Sequence, residues 1–166
     1  MRKFGRLALF VIALYVLQTS LLPMIAYRGI SPDLMLLLTV SFAFLRGVRQ
    51  GGLMGFSVGL LQDLASGTFL GINAFTRMLL GMFFGRFSDR VFKEQFFLPV
   101  TASITAIIAN YFILALLMVL LGYRFNLVSS LQTMLIPMLI YQLAFAYPVH
   151  RLTYELDKKL SEKEKH

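Results

Sequence analysis

The stretches 7–27, 96–123 and 125–149 contain no Asp, Glu, Lys or Arg, and this constrains the chain more than any other feature. A bilayer core about 30 Å thick is crossed by about 20 helical residues, and each stretch is long enough to cross it. Composition agrees: 58% of the 166 residues are hydrophobic and only 14% are charged, where a soluble domain carries about 25% charged residues. The chain therefore reads as an integral membrane protein, with no soluble domain of useful size. Cysteine is absent, which excludes a disulfide framework, a thiol nucleophile and a cysteine metal site.

The opening MRKFGRLALFVIALYVLQTSLLPMIAYR has the basic start and apolar run of a secretory signal. The polar QTS interrupts that run, however, and no clean small-x-small cleavage site follows, so it reads as the first membrane helix. The middle of the chain is less plain. Residues 34–45, 50–62 and 64–76 are charge-free or nearly so but short, and windows of about 10–14 residues can be re-entrant. Extended by their flanks they give spans at 32–46, 49–64 and 69–86. With 6–27, 96–121 and 127–149 the expectation is a six-helix transmembrane bundle forming one domain, 1–149.

Six spans place both termini on one side. Arg2, Lys3, Arg6, Arg46, Arg49, Arg86, Arg90, Lys93, Arg151, Lys158, Lys159, Lys163 and Lys165 then fall together, against Arg28 and Arg124 opposite and Arg77 within a span. Cytoplasmic loops carry the excess of Lys and Arg, so both termini are expected in the cytoplasm. The net charge of +8 is thus a matter of orientation, and nucleic acid is not an expected partner. A hairpin of 32–64 dipping in from outside would carry Arg46 and Arg49 at its tip into hydrocarbon, at about 2.5–3.5 kcal/mol or more each. Short, tilted spans with snorkelling arginines cost less.

Turn chemistry supports the divisions. RGISPD and ASGTFLG have Gly and Pro where the chain must reverse, and LGYRFN puts Gly122 at a helix end. Pro137 falls within span six and is expected to kink it. Beyond it, residues 149–166 carry an apolar row (Val149, Leu152, Leu156, Leu160) at helical spacing, which predicts a cytoplasmic amphipathic tail, 150–166.

Spans three and four hold the chemistry. Gly51, Gly55, Gly59 and Asp63 recur every fourth residue, as do Asn73, Arg77, Gly81 and Gly85, so each set lies on one helix face. An antiparallel hairpin turning at Ser66–Gly67 sets Asp63 beside Asn73, Gly59 beside Arg77, Gly55 beside Gly81 and Gly51 beside Gly85. Small residues let membrane helices approach closely, and Arg77 is expected to reach outward to Asp63. The pair either holds the hairpin together or lines a partner site. Asp33 follows Pro32 at the start of span two, where a carboxylate suits a helix N-terminus. His150 and His166 lie at or beyond the end of span six, His150 as an interfacial residue. Asn110, Gln132 and Gln142 are candidates for hydrogen bonds between spans. Nucleophile–base and metal-ligand sets lose their usual members here, so neither an enzyme nor a cofactor is expected.

SPDLMLLLTVSFAFLRGVRQGGLMGFSVGLLQDLASGTFLGINAF, residues 31–75, resembles the core of the rod shape-determining protein MreD family. The matching positions are Pro32, Asp33 and Leu34, then Gly55, Gly59, Leu60, Leu61, Asp63, Leu64, Ser66, Gly67 and Gly71; Arg77 lies outside the pattern. The resemblance implies a multi-pass, non-enzymatic subunit of the bacterial cell-elongation machinery in the inner membrane. Its implied partners are membrane lipids, the single-span scaffold MreC, the actin-like MreB, and the wall glycosyltransferase and transpeptidase. It also implies a fold similar to the substrate-binding subunit of energy-coupling-factor transporters. That likeness supplies an alternative, a vitamin-like small-molecule carrier, which the short outer loops and lack of Trp disfavour.

Overall fold

A computed structural model describes residues 2–26, 29–67, 70–88, 97–122 and 135–162, and the described residues are entirely helical apart from turns and one isolated bridge residue. The basic residues Arg28, Arg90, Lys93, Arg124, Lys163 and Lys165, together with Gln132 and His166, lie outside them. Five helices follow in order: α1 (Arg2–Val16), α2 (Leu34–Ser66), α3 (Ile72–Gly85), α4 (Phe97–Leu120) and α5 (Ile136–Glu162). A π-helical turn, Leu17–Leu21, and a 3-10 turn, Leu22–Ile25, extend α1. Among the described residues three segments are long and apolar enough to cross a membrane: Gly5–Ile25, Leu34–Ser66 and Val100–Leu120.

Among the described residues the expected six separate helices are therefore five, because expected spans two and three are joined in α2. The junction is Gly47, with φ 83° and ψ −174° in the midst of helical neighbours. A side chain rarely adopts that φ, whereas glycine does so freely. The chain reverses there. A Cβ added to Gly51 would lie 2.6 Å from the Cβ of Ala43, although residues eight apart on a straight helix are about 12 Å apart. Thus α2 is two arms folded together, 34–46 and 48–66. The first arm, at 1.5 Å per residue, is only about 20 Å long.

Every residue from Leu34 to Leu45 is buried. A helix that is apolar all round belongs at the centre of a bundle, and the first arm sits there. On one side Leu34, Leu37, Leu38 and Phe42 pack with Leu14 of α1, Met54 and Val58 of the second arm, and Ala146 and Val149 of α5. On the other, Leu36, Val40 and Phe44 pack with Leu80 and Phe84 of α3 and Ala102, Ala106 and Ile107 of α4. Phe44 and Phe84 meet edge to face, their centroids 5.6 Å apart.

Helix ends follow the turn chemistry. Gly67 (φ 62°) closes α2, its N–H donating to the Asp63 carbonyl at 3.2 Å. Gly122 (φ 84°) follows α4 and donates to the Val119 carbonyl at 3.0 Å. Pro137 differs from expectation. It stands in the first turn of α5, where a missing N–H is harmless, and the proline within the helix is Pro148. The helix α5 runs on past residue 150 to Glu162, with Val149 buried and Leu152 half exposed. His150 is buried.

Candidate functional site

Four helices converge on the N-terminus of the first arm. The first N–H groups of a helix have no partner within it, and here those of Asp33, Met35 and Leu36 are met by side chains. Asp33 Oδ1 accepts from the Leu36 N–H at 2.9 Å. Gln18, on the π-helical turn after α1, accepts from the Met35 N–H through Oε1 at 3.1 Å. Gln142 of α5 grips the Asp33 backbone twice: Oε1 accepts from its N–H and Nε2 donates to its carbonyl, both at 3.0 Å. Arg77 of α3 completes the cluster, donating from Nη2 to Asp33 Oδ2 at 2.6 Å. Asp33, Arg77 and Gln142 are all buried. One carboxylate thus caps its own helix with one oxygen and neutralises a buried guanidinium with the other.

Asp63 does something different. Gly71 starts α3 with φ 102° and has no side chain with which to cap it. Asp63 supplies the cap from α2. Its Oδ2 accepts from the N–H of Gly71 at 2.9 Å and of Ala74 at 3.0 Å. Its Oδ1 accepts from the Asn73 N–H at 3.2 Å and from Asn73 Nδ2 at 2.9 Å. The carboxylate also faces the positive end of the α3 dipole. Ser66 and Gly67 follow it in the turn, Ser66 Oγ donating to the Asp63 carbonyl at 3.4 Å.

Below this cap the glycines interlock. A Cβ added at Gly59 would come within 2.5 Å of Ala74 Cα, one at Gly55 within 2.6 Å of the Arg77 carbonyl carbon, and one at Gly81 within 2.6 Å of the Gly51 carbonyl carbon. One at Gly85 would lie 2.6 Å from Val48 Cα. The backbones of α3 and the second arm are in direct contact along their whole shared length.

The expected register is therefore corrected by one helical turn. Gly51 meets Gly81 instead of Gly85, Gly55 meets Arg77 instead of Gly81, and Gly59 meets Asn73 and Ala74 instead of Arg77. The reason is the cap. Sliding α3 by four residues brings its free N–H groups under Asp63, which could not reach them were the helices level. The same slide carries Arg77 away from Asp63, so the expected Asp63–Arg77 ion pair is replaced by Arg77–Asp33. The expected residues Pro32, Asp33, Asp63, Asn73 and Arg77 do gather toward one end of the bundle. Sequence reasoning missed Gln18 and the double grip of Gln142; the polar break QTS within an apolar helix was the available signal for Gln18.

At the opposite end, Arg46 beside the Gly47 bend bonds through Nε to Asp157 Oδ1 and through Nη2 to Ser161 Oγ at 3.0 Å. This pairing ties the bend to the charged end of α5. Further along that helix, the Tyr147 hydroxyl and then Glu155 hold the exposed Arg151 guanidinium in its charged form. Among the described residues no three His, Cys, Asp or Glu come together as metal ligands would.

These features define an all-helical membrane protein whose buried charges serve helix-to-helix contacts. The family model of the rod shape-determining protein MreD matches residues 1–159, and the chain belongs to that family, one of structural membrane proteins that determine rod shape. Neither a curated protein nor a solved structure matches the chain. The expected likeness to the energy-coupling-factor subunit accordingly gains no support, nor does the small-molecule carrier reading that rested on it.

Proposed function

We propose that the chain is a scaffold subunit of the cell-elongation machinery, crossing the bacterial inner membrane six times with both termini in the cytoplasm. The two arms of α2 count as two crossings, and α1, α3, α4 and α5 supply the rest. The pairing of Arg46 with Asp157 and Ser161 supports this orientation, because it sets the bend on the same side as the charged end of α5. On that side the basic residues concentrate.

The observation that carries the scaffold reading is where the polar groups go. Asp33, Asp63, Arg77 and Gln142 bond helix ends to one another, while wide apolar faces point outward. Leu9 and Ile12 of α1, Leu53 and Phe56 of the second arm, Phe83 of α3 and Leu116 of α4 are all exposed. In a bilayer such faces meet lipid tails or partner helices, which associate by close packing. The partners are a single-span MreC-like scaffold, the lateral-wall glycosyltransferase and transpeptidase, and, through the cytoplasmic face, the actin-like MreB.

Photo-crosslinking in living cells tests this. A photoreactive residue at position 9, 53, 83 or 116 is expected to capture a single-span scaffold or a wall synthase from one face and only lipid from others. Capture of lipid alone from all four positions, in a protein that still supports rod shape, would overturn the docking reading.

A further inference from the structure

The Asp33–Arg77 pair leaves part of the guanidinium unused. Arg77 Nε and Nη1 are buried with no hydrogen-bond partner, and so is Asn110 Oδ1 on α4. Arg77 is 2% exposed and Asn110 8%. Leu36, Leu80 and Ile107 belong to one apolar cluster. Arg77 precedes Leu80 by one turn on α3, and Asn110 follows Ile107 by one turn on α4. The second half of α3 shares this cluster with the first half of α4; crossing the membrane in opposite directions, as the proposed six-span topology requires, the two helices carry both polar residues toward the Asp33 end. The orphaned donors and the orphaned acceptor therefore border the same region beside the start of the first arm. Gln62 Oε1 is also orphaned, on the second arm one turn after Val58 of the other cluster.

We propose that Arg77 and Asn110 bind internal water between them. The water oxygen accepts from the Nε–H and Nη1–H of Arg77, and a water hydrogen is donated to Asn110 Oδ1. Charge selects this ligand class. Asp33 already neutralises Arg77, so an anion would leave the site negative and would face the amide oxygen of Asn110. A neutral molecule that both accepts and donates satisfies all three groups. Buried waters of this kind typically make about three hydrogen bonds each to otherwise unsatisfied groups, and ionisable residues within membrane spans face the bundle interior or a water-filled cavity.

Water-edited solid-state NMR of uniformly 13C,15N-labelled protein in lipid bilayers is the test. Arg77 Nε is assigned by its disappearance in Arg77→Lys, or by its correlation with the Asp33 carboxyl carbon should that variant fail to fold. In the unaltered protein its signal is expected to build up from water as fast as that of exposed Arg151. Build-up as slow as that of the Leu36–Phe44 backbone amides would overturn the proposal. Asn110→Leu removes the acceptor and is expected to slow the Arg77 build-up several-fold; an unchanged rate there would also overturn it.

Discussion

Arg77 Nη2 lies 2.6 Å from Asp33 Oδ2, a pair separated by forty-four residues in the chain and joining α3 to the first turn of the bundle's central arm. The carboxylate nearer in sequence, Asp63, is occupied by the N-terminus of α3. Two acidic residues near the same end thus have separate tasks. One balances a charge, and the other caps a helix.

Mutational coupling distinguishes these tasks. Removing one member of a buried ion pair costs about 3–5 kcal/mol, because the other charge is left uncompensated. Asp33→Asn keeps an oxygen for the Leu36 N–H but strands Arg77, so a large fall in thermal midpoint is expected in purified protein. Adding Arg77→Gln to Asp33→Asn should recover part of that loss, with a coupling of about 0.5–3 kcal/mol. Arg77→Gln combined with Asp63→Asn should be additive. Coupling to Asp63 instead of Asp33 would refute the pairing.

What the sequence disclosed, and what it hid, follows from the range of each interaction. The periodicity of Gly51, Gly55, Gly59 and of Arg77, Gly81, Gly85 already placed two small-residue faces against each other, and Asp33 was legible as a helix cap from its position after Pro32. The sliding of α3 was not legible. A four-residue repeat is unchanged by a shift of four, so periodicity alone cannot select between adjacent registers. Only the unmet N–H groups of α3 select, and those depend on where the turn lets the helix begin. The reversal at Gly47 was legible as the gap between expected spans 32–46 and 49–64. Expected spans two and three flank it correctly, but α2 shows only one non-helical residue between its arms. Gln142 lies 109 residues from Asp33, beyond any local pattern.

Asp63→Asn should destabilise the protein for a reason unrelated to Arg77. The amide retains one acceptor, but its NH2 group then faces N–H donors of α3, and charge-assisted bonds worth about 1.5–3 kcal/mol each are weakened. Hydrogen exchange of the Gly71, Asn73 and Ala74 amides is expected to accelerate while that of Leu36 stays slow. Equal acceleration at both helix starts would mean that Asp63 is not a dedicated cap.

The glycine contacts should be unequal. Alanine at Gly55 would bring its Cβ within 2.6 Å of a backbone carbon of Arg77, which cannot move without shifting α3. A loss of about 1–3 kcal/mol or more is expected from such overpacking. Gly52→Ala meets the Met82 side chain, at 2.7 Å from Cγ, and a flexible thioether can rotate away. Its higher helix propensity, about 1 kcal/mol over glycine, should leave Gly52→Ala near neutral. Thermal midpoints of the two variants, compared in one detergent, check the contrast; similar losses would argue against the helix contact described here.

The bond from Arg46 to Asp157 and Ser161 gives the Gly47 bend a fixed partner in the last third of α5. Both charged side chains are partly exposed, 20% and 14%, so the stabilisation is expected to be modest, up to about 1 kcal/mol as for solvent-screened pairs. Its consequence is positional. With the pair broken by Asp157→Arg, the end of α5 should lose its registration against the bend, and protease cleavage around Lys158 and Lys159 should accelerate. The reciprocal double variant, Arg46→Asp with Asp157→Arg, should restore resistance, although Ser161 would then face a carboxylate instead of a guanidinium. If MreB contacts this end of the molecule, the single variant should also weaken rod shape in cells, and the double variant should recover it. Restored protease resistance without restored shape would assign the pair to the fold alone, and failure to restore either would remove the pair from both.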